Sequence, residues 1–339
     1  MITEIQPLHP AHPRELLAAC PAYAASPLTH HQLEGRNLWI KDETGRMGLG
    51  AFKALGGVYA VARLIEHHIG HKIAPADYIS DQVRDKAAAF TFVCASAGNH
   101  GLAVAAGSRI FGAGCRIHLA ATVPEGFAGR LRDKGAKVVR SGATYEESVA
   151  AAIEDAERTG AIHLADGSWP GYTEPPRLVM EGYTVLAEEM RTEFQSTGAW
   201  PSHVYLQAGV GGLAAAVAYM IRETWDQQPQ IVVVEPDAAP CLKRSAQAGK
   251  AVTVEGPVST MGRLDCKAPS MLALNILAKV ADRFEIVTDA QAMAGVEAAR
   301  KLGYESTPSG AAGLGALLLE KNPPENPLII LSEGAVDHV

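Results

Sequence analysis

The sequence predicts an α/β protein built from two doubly wound domains. Apolar segments of strand length alternate with amphipathic segments of helix length, and the connections between them are short. Repeated strand–helix units of this kind imply right-handed crossovers and parallel sheets. Ligands in such folds bind beyond the carboxyl ends of the strands, so we expect the loops after predicted strands to carry the functional residues.

The predicted elements follow from apolar spacing and capping signals. The N-terminal part predicts a helix within residues 1–36, a strand over 37–41 and a helix that begins near Lys53. A first alternating series has strands at 91–95, 115–119, 137–140 and 161–165 and helices at 102–111, 124–134 and 144–158. A second series has helices at 178–195, 213–225, 289–302 and 309–320 and strands at 203–207, 231–235 and 328–331. Thr144 and Glu147 form a capping box, and Asp289 is expected to cap its helix.

Composition and charge exclude several classes of protein. The hydrophobic fraction of 47% and the charged fraction of 20% are typical of a folded, soluble chain. A net charge of -7 argues against nucleic-acid and anionic-membrane partners. No apolar run is long enough to span a bilayer, and the N-terminus lacks the pattern of a signal peptide. The five cysteines have neither paired nor metal-binding spacing, which indicates reduced thiols in the cytoplasm and no metal site.

A glycine-rich stretch from Gly48 to Gly57 leads through Phe52 to Lys53 at the start of a helix. The helix dipole and the apolar neighbours disfavour a cation at this position. The sequence therefore predicts a lowered pKa for Lys53 and an amine that can form a Schiff base. Taken alone, a surface lysine whose stem packs on its neighbours is the commoner case.

Two glycine-containing loops follow predicted strands. Small residues from Ser96 to Gly101 would let backbone amides approach a carboxylate or phosphate, and Asn99 could donate to a phenolate oxygen; a simple tight turn is the alternative. The loop from Gly209 to Ala214 should cradle a phosphate. It also matches the dinucleotide fingerprint, with Glu235 where a ribose-binding acid would lie. A nicotinamide dehydrogenase is therefore an alternative function for this chain.

Two further polar residues end predicted strands. Asp166 could act as a general base or bind a substrate ammonium, although an Asx-turn or capping role is the commoner use of an aspartate. Ser332 could hydrogen-bond a pyridine nitrogen, or simply end its strand.

An amine at a helix start, a phosphate loop, an asparagine for a phenolic oxygen and a serine for a ring nitrogen together describe the binding site of one ligand, pyridoxal phosphate. A neutral serine partner favours β-elimination and β-replacement.

These residues resemble the fold-type II family of pyridoxal-phosphate enzymes, which includes serine/threonine dehydratases, serine racemase, cysteine synthase and diaminopropionate ammonia-lyase. The matching segments are the lysine motif at 51–53, the substrate loop at 96–101, the phosphate loop at 209–213 and the helix start at 309–313. The resemblance runs from about Trp39 to Asp337. It implies a tryptophan synthase β-like fold, with residues 1–58 and 165–339 in a large cofactor-binding domain and 59–164 in a small substrate-loop domain. It also suggests a homodimer.

The resemblance gives each site residue an expected role. The residues expected to bind the cofactor are Phe52, Lys53, Asn99, Gly209, Val210, Gly211, Gly212, Leu213 and Ser332. Those expected to bind the substrate are Ser96, Ala97, Gly98 and His100, and those expected to be catalytic are Lys53 and Asp166. Either catalytic residue could take the Cα proton.

Several segments are most similar to diaminopropionate ammonia-lyase, namely Lys41–Glu43 paired with Ala51–Gly57, Asp166–Arg177 and Met261–Ser270. One departure concerns stereochemistry. Where the ammonia-lyase loop reads T-D-G-N-H and its aspartate is the base for D-substrates, this chain has Ala97, which cannot move a proton. Asp166 matches the aspartate associated with the L-substrate, so the resemblance implies a preference for L-isomers.

The resulting prediction is β-elimination on an L-amino acid, which yields a 2-oxo acid and ammonia. We favour 2,3-diaminopropionate as the substrate because an aspartate suits a cationic β-amine. Dehydration of serine, threonine or 3-hydroxyaspartate is the alternative, although Thr307 stands where dehydratases often carry glutamate. A β-replacing enzyme, the nicotinamide dehydrogenase and a non-catalytic binding protein that kept the fold also remain open.

Overall fold

The computed structural model describes residues 1–33, 35–322 and 324–335. Val336 and Asp337, where the family resemblance ends, lie outside these residues. The strands of the described chain are β1 (Leu28–Leu33), β2 (Arg36–Asp42), β3 (Thr91–Ala95), β4 (Gly114–Leu119), β5 (Lys137–Arg140), β6 (Ile162–His163), β7 (His203–Gln207), β8 (Gln230–Pro236), β9 (Arg283–Val287) and β10 (Pro327–Leu331).

The helices of the same residues are α1 (Ala11–Ala18), α2 (Lys53–Ile69), α3 (Asp81–Ala87), α4 (Asn99–Phe111), α5 (Glu125–Asp133), α6 (Tyr145–Thr159), α7 (Glu174–Thr197), α8 (Gly212–Thr224), α9 (Cys241–Ala248), α10 (Met271–Val280), α11 (Asp289–Lys301) and α12 (Ala312–Leu318). None of these helices combines the length and the apolar character that crossing a bilayer requires.

The strands form two sheets. The larger sheet has the order β1-β2-β10-β7-β8-β9, and the smaller has the order β5-β4-β3-β6. The β1–β2 pair is antiparallel, and every other named pair in the described sheets is parallel. The smaller sheet draws all its strands from residues 91–163. The domain boundaries at 58 and 164 stay a prediction.

Both faces of the larger sheet are buried. Along β10, Leu328 and Ile330 face one core, while Ile329 and Leu331 face a second core on the opposite side. All four residues are at most 1% exposed, which explains why this strand is an unbroken apolar run. The first core includes side chains of α2, α7 and α8, and the second includes side chains of α11 and α12. The predicted α/β class with parallel, doubly wound sheets is confirmed.

Helix α2 is clamped between the helices of the two sheets. A Cβ on Gly56 would overlap the Tyr183 ring of α7, and a Cβ on Gly57 would overlap Ala103 of α4. Only glycine permits such close approach of the helix backbones. The consecutive glycines therefore fix the position of α2 and, with it, the position of Lys53 at its first residue.

The structure adds β1, β9, α3, α9 and α10 to the predicted elements. β1 and β9 are the two edge strands of the larger sheet. Polar residues such as His30 and His31 in β1, and Arg283 and Glu285 in β9, interrupt the apolar pattern that marks a buried strand.

The predicted cap of α11 was wrong. The Thr288 hydroxyl accepts a hydrogen bond from the Gln291 backbone amide at 3.3 Å. The N-cap of α11 is therefore Thr288, one residue before Asp289. The Asp289 carboxylate instead accepts the Ser259 hydroxyl at 2.6 Å and the Thr260 amide at 3.0 Å. It thereby fixes the long loop between α9 and α10.

Candidate active site

The predicted site residues lie at the carboxyl ends of the strands. The loops after β3, β6, β7 and β10 supply Asn99, Asp166, the Gly209–Leu213 segment and Ser332, respectively. Lys53 reaches the same place from the start of α2, and its amine lies 2.6 Å from the Asp166 carboxylate. Parallel sheets bring these loops together because the carboxyl ends of neighbouring strands share one edge.

Backbone pairing fixes the approach to Lys53. The Phe52 amide donates to the Ser332 carbonyl at 3.1 Å, and the Gly334 amide donates to the Gly50 carbonyl at 3.0 Å. The segment before α2 is thus paired with the segment after β10. As a result, Lys53 and Ser332, which are far apart in the sequence, are held in fixed register.

Lys53 and Asp166 form an ion pair at the centre of the site. Burial opposes the charged ammonium, but the Asp166 carboxylate outweighs this effect, so the pKa of Lys53 lies above its usual range. Burial likewise opposes the carboxylate, and the attraction of Lys53 outweighs it, so the pKa of Asp166 lies below its usual range. The predicted lowering of the Lys53 pKa was wrong, because the anionic partner could not be seen in the local sequence.

Tyr183 lies beneath Lys53 and was not predicted as a site residue. Its ring is 1% exposed and packs edge-on against Phe52, with the ring centroids 4.9 Å apart. Its buried hydroxyl has no hydrogen-bond partner among the described residues. Burial raises the pKa of Tyr183 to about 12, so the phenol is neutral beside the ion pair.

The Gly209–Leu213 segment turns into the start of α8. Gly211 has a φ of 101°, a left-handed conformation that favours glycine. Within the described chain, the amides of Gly211, Gly212 and Leu213 have no protein acceptor. These donors and the positive end of the helix dipole suit a phosphate.

Glu235, the ribose-binding acid of the dehydrogenase alternative, is not free to bind a ligand. It is fully buried, and its carboxylate accepts the amides of Leu242 and Lys243, both at 2.7 Å, at the start of α9. Burial raises the pKa of Glu235 to about 7. The match to the dinucleotide fingerprint therefore lacks its second part.

Ser332 is buried and oriented by Gln207. The Gln207 side-chain nitrogen lies 2.8 Å from the Gly310 and Ile330 carbonyls, to which its two protons can donate, and 3.0 Å from the Ser332 hydroxyl. The Ser332 hydroxyl is thus held in place by Gln207 and can donate its own proton to a ligand atom.

The substrate loop turns sharply into α4. The Gly98 amide donates to the Ser96 hydroxyl at 3.3 Å, while the amides of Asn99 and His100 have no acceptor in the described structure. The His100 ring is buried, with Nε2 2.8 Å from the Leu164 carbonyl. Burial lowers the pKa of His100, so its ring is neutral and its Nε2 is not available to a substrate. The substrate-binding role of His100 stays a prediction, as does that of Ala97, which is partly buried in the loop.

Glu333 is a second residue that the sequence did not identify. Its carboxylate, 4% exposed, accepts hydrogen bonds from the Asn99 side chain and from the Thr307 hydroxyl. Arg263 Nε lies 3.8 Å from the same carboxylate. Arg263 falls within the Met261–Ser270 segment and Glu333 directly follows Ser332, but no spacing rule indicated that the two residues meet.

The residues present fit pyridoxal phosphate. The unpaired amides at the start of α8 suit its phosphate, the Ser332 proton suits its ring nitrogen, and the Lys53 amine suits its aldehyde. The Asn99 amide has two protons and uses one for Glu333, which leaves one for a ring oxygen.

Comparisons with known proteins agree with this fit. Residues 20–333 match the model of the family described as pyridoxal-phosphate dependent enzyme. Diaminopropionate ammonia-lyase of Escherichia coli (strain K12) is 33% identical over 294 residues, which cover 83% of this chain and 72% of that protein. A crystal structure of the Escherichia coli ammonia-lyase in complex with D-serine aligns with a TM-score of 0.85 at 28% identity, covering 98% of this chain and 92% of that chain.

A probable D-serine dehydratase of Acidovorax ebreus (strain TPSY) is 28% identical over 249 residues, or 69% of this chain and 53% of that protein. These similarities confirm the predicted family, its cofactor and its lyase class. The chain therefore belongs to the family of pyridoxal-phosphate dependent enzymes.

Proposed function

We propose that the protein is an ammonia-lyase that eliminates the β-substituent of an L-amino acid and releases a 2-oxo acid and ammonia. L-2,3-diaminopropionate is the proposed substrate. The observation that carries this proposal is the anionic Asp166 carboxylate, 2.6 Å from the Lys53 amine. An anion at this position attracts a β-ammonium group, whereas a neutral hydroxyl gains less from it.

We propose a specific residue or segment for each cofactor contact. When bound, pyridoxal phosphate supplies an electron sink for bond cleavage at Cα. Lys53 would hold its aldehyde end and the amides of residues 209–213 its phosphate. Phe52 would pack beside it, while Asn99 and Ser332 would donate to its ring oxygen and ring nitrogen.

The chain offers two groups for the Cα proton. One is Asp166 Oδ2, a carboxylate oxygen and so a possible proton acceptor. The other is Lys53 Nζ, 2.6 Å from that oxygen, which becomes a base once it no longer carries the proton that it shares with Asp166 in the ion pair. Under either assignment, Asp166 is required for proton transfer. We propose that this requirement, rather than substrate attraction alone, makes the residue catalytic.

Stereochemical preference follows from Ala97. Its methyl group cannot accept a proton at the position where the ammonia-lyase motif has the base for D-substrates. We propose a preference for L-isomers over D-isomers. The amides of Ser96, Ala97, Gly98 and Asn99 would hold the substrate carboxylate at the start of α4.

A panel of amino acids tests the proposed function. Ammonia and 2-oxo acid release would be measured for the L- and D-isomers of diaminopropionate, serine, threonine and 3-hydroxyaspartate with added pyridoxal phosphate. L-diaminopropionate should have the highest kcat/KM. Lys53→Ala should abolish both turnover and covalent cofactor binding, whereas Lys250→Ala, at an exposed position, should leave both unchanged. Full activity in Lys53→Ala would refute the proposal.

Dehydration of a hydroxy amino acid is the second candidate. The similarity to a probable D-serine dehydratase favours it. It requires a higher kcat/KM on serine, threonine or 3-hydroxyaspartate than on diaminopropionate in the same panel. We propose it only as the alternative, because Asp166 is better matched to a cationic leaving group.

We also propose that the enzyme acts in the cytoplasm as a homodimer. All five cysteines are free in the structure, and reduced thiols agree with a reducing compartment. Sedimentation of the holoenzyme would test the assembly, and a monomer at micromolar concentration would contradict it. Cell fractionation would test the compartment.

A further inference from the structure

The backbone of Arg263 is fixed at the edge of the cleft. Its amide donates to the Ser309 hydroxyl at 3.1 Å, and its carbonyl oxygen would lie 2.9 Å from a Cβ on Gly209. Its loop is anchored further by Asp289, which binds Ser259 and Thr260. The side chain of Arg263 therefore projects from a rigid support beside the phosphate loop.

The guanidinium of Arg263 lies against the first residues of α4. A Cβ on Gly98 would be 3.2 Å from Nε and 3.3 Å from Cζ. The guanidinium carbon is 5.7 Å from the centre of the Phe127 ring. Arg263 thus lies on the substrate loop itself.

Arg263 has unused hydrogen-bonding capacity. Its buried Nε has no hydrogen-bond partner in the described part of the chain. The nearest carboxylate oxygen, Glu333 Oε2, is 3.8 Å from Nε, which is too long for a hydrogen bond. Glu333 already accepts from Asn99 and Thr307. Since a guanidinium offers five N–H donors in a planar fork, this cation is available to an anion in the cleft.

We propose that Arg263 joins the backbone amides of the substrate loop in binding the α-carboxylate of the substrate. Guanidinium and helix-start donors converge beside Gly98, and a carboxylate is the group that both recognise. Arg263 then selects substrates with a free carboxylate. Asp166, on the Lys53 side of the site, selects substrates with a cationic β-group. This inference rests on the proposed function, because it names how the same site recognises its substrate.

The test compares two ligands that have no β-leaving group. L-alanine has a free carboxylate, and L-alaninamide has a neutral amide of nearly the same shape. Their dissociation constants would be measured by titration calorimetry on the holoenzyme. The wild-type enzyme should prefer L-alanine. Arg263→Gln should weaken L-alanine binding roughly 10- to 100-fold, the range expected for a charged hydrogen bond, and leave L-alaninamide binding unchanged.

Arg158→Gln is the matched control, since this arginine is 70% exposed at the end of α6, away from the carboxyl ends of the strands. It should bind both ligands as the wild type does. Arg263→Lys keeps the charge without the planar fork and should lie between wild type and Arg263→Gln. If Arg263→Gln fails to fold, the lysine variant alone decides the question by its loss of preference for L-alanine.

Two results would overturn the inference. One is an Arg263 variant that keeps the wild-type preference for L-alanine. The other is equal weakening of both ligands, which would indicate that Arg263 only supports the loop through Glu333. Failure of the proposed function is a separate outcome: no candidate amino acid would release ammonia, whatever the preference between L-alanine and L-alaninamide.

Discussion

Lys53 Nζ lies 2.6 Å from Asp166 Oδ2, although the two residues are 113 positions apart in the chain. Lys53 follows β2 in the larger sheet, and Asp166 follows β6 in the smaller one. The ion pair therefore joins segments that follow strands of the two different sheets. It forms only when both sheets are in place, so the central pair of the site depends on the whole fold.

Replacing Asp166 by Asn should preserve the shape of the site and remove its base. An amide cannot accept a proton from Cα or from Lys53, so kcat should fall by about 10²- to 10⁴-fold, the usual contribution of acid–base catalysis. Steady-state kinetics on L-diaminopropionate would measure the loss, with cofactor absorbance confirming that the variant is loaded. Asp226→Asn, at an exposed position, is the control. Wild-type kcat in Asp166→Asn would remove Asp166 from the mechanism.

Introducing an acid at position 97 should broaden the stereochemical range. Ala97→Asp places a carboxylate on the substrate loop, where the ammonia-lyase motif has its own aspartate. We expect turnover of D-diaminopropionate to rise at least about 10-fold, since a positioned base contributes 10²-fold or more when its geometry is good. Ala97→Asn is the matched control because it adds similar bulk without a base. Equal activity of the two variants on the D-isomer would contradict this explanation.

The sequence predicted the features that depend on local pattern. The glycine turn that leads into α8 and the Thr144–Glu147 capping box of α6 can be read from short motifs, and the structure contains both. The pKa of Lys53 and the contact of Asn99 with Glu333 could not be read in this way. Each depends on a partner more than 100 positions away, 113 in the first case and 234 in the second. Edge strand β9 escaped prediction because half-buried polar residues hide its period.

His163 should make folding stability depend on pH. Burial, with the nearby His100, lowers the pKa of His163 to about 4 in the folded protein, while an unfolded histidine titrates near 6.5. Above about pH 6.5 the ring is neutral in both states, so its full contribution to stability is present. As the pH falls from about 6.5 to 4, the unfolded state takes up the proton first, and stability is lost.

His163→Phe should therefore reduce the fall in the free energy of unfolding between about pH 6.5 and 4. Phenylalanine keeps the ring that packs against Tyr172, whose centroid lies 5.1 Å away. Urea denaturation of the holoenzyme at several pH values would measure the change. His71→Gln alters an exposed histidine and should leave the pH dependence as in the wild type. An unchanged slope in His163→Phe would show that other groups cause it.

Gly56→Ala should destabilise the protein even though alanine is the better helix former. Helix propensity alone favours alanine by about 1 kcal/mol. In the folded protein, however, the added Cβ would overlap the Tyr183 ring and the Val179 carbonyl oxygen of α7. Overpacking of this kind costs roughly 1–3 kcal/mol, and relief would require α2 to move away from α7. That movement would also displace Lys53 from Asp166, so kcat should fall together with the free energy of unfolding.

Gly129→Ala is the control for this prediction. Gly129 lies within α5, and no heavy atom lies within 4 Å of the position its Cβ would take. At this position no steric overlap opposes the higher helix propensity of alanine. The free energy of unfolding should therefore rise by up to about 1 kcal/mol. Urea denaturation of both variants would separate backbone preference from packing. If Gly56→Ala proved as stable as Gly129→Ala, close packing of α2 on α7 would not be what positions Lys53.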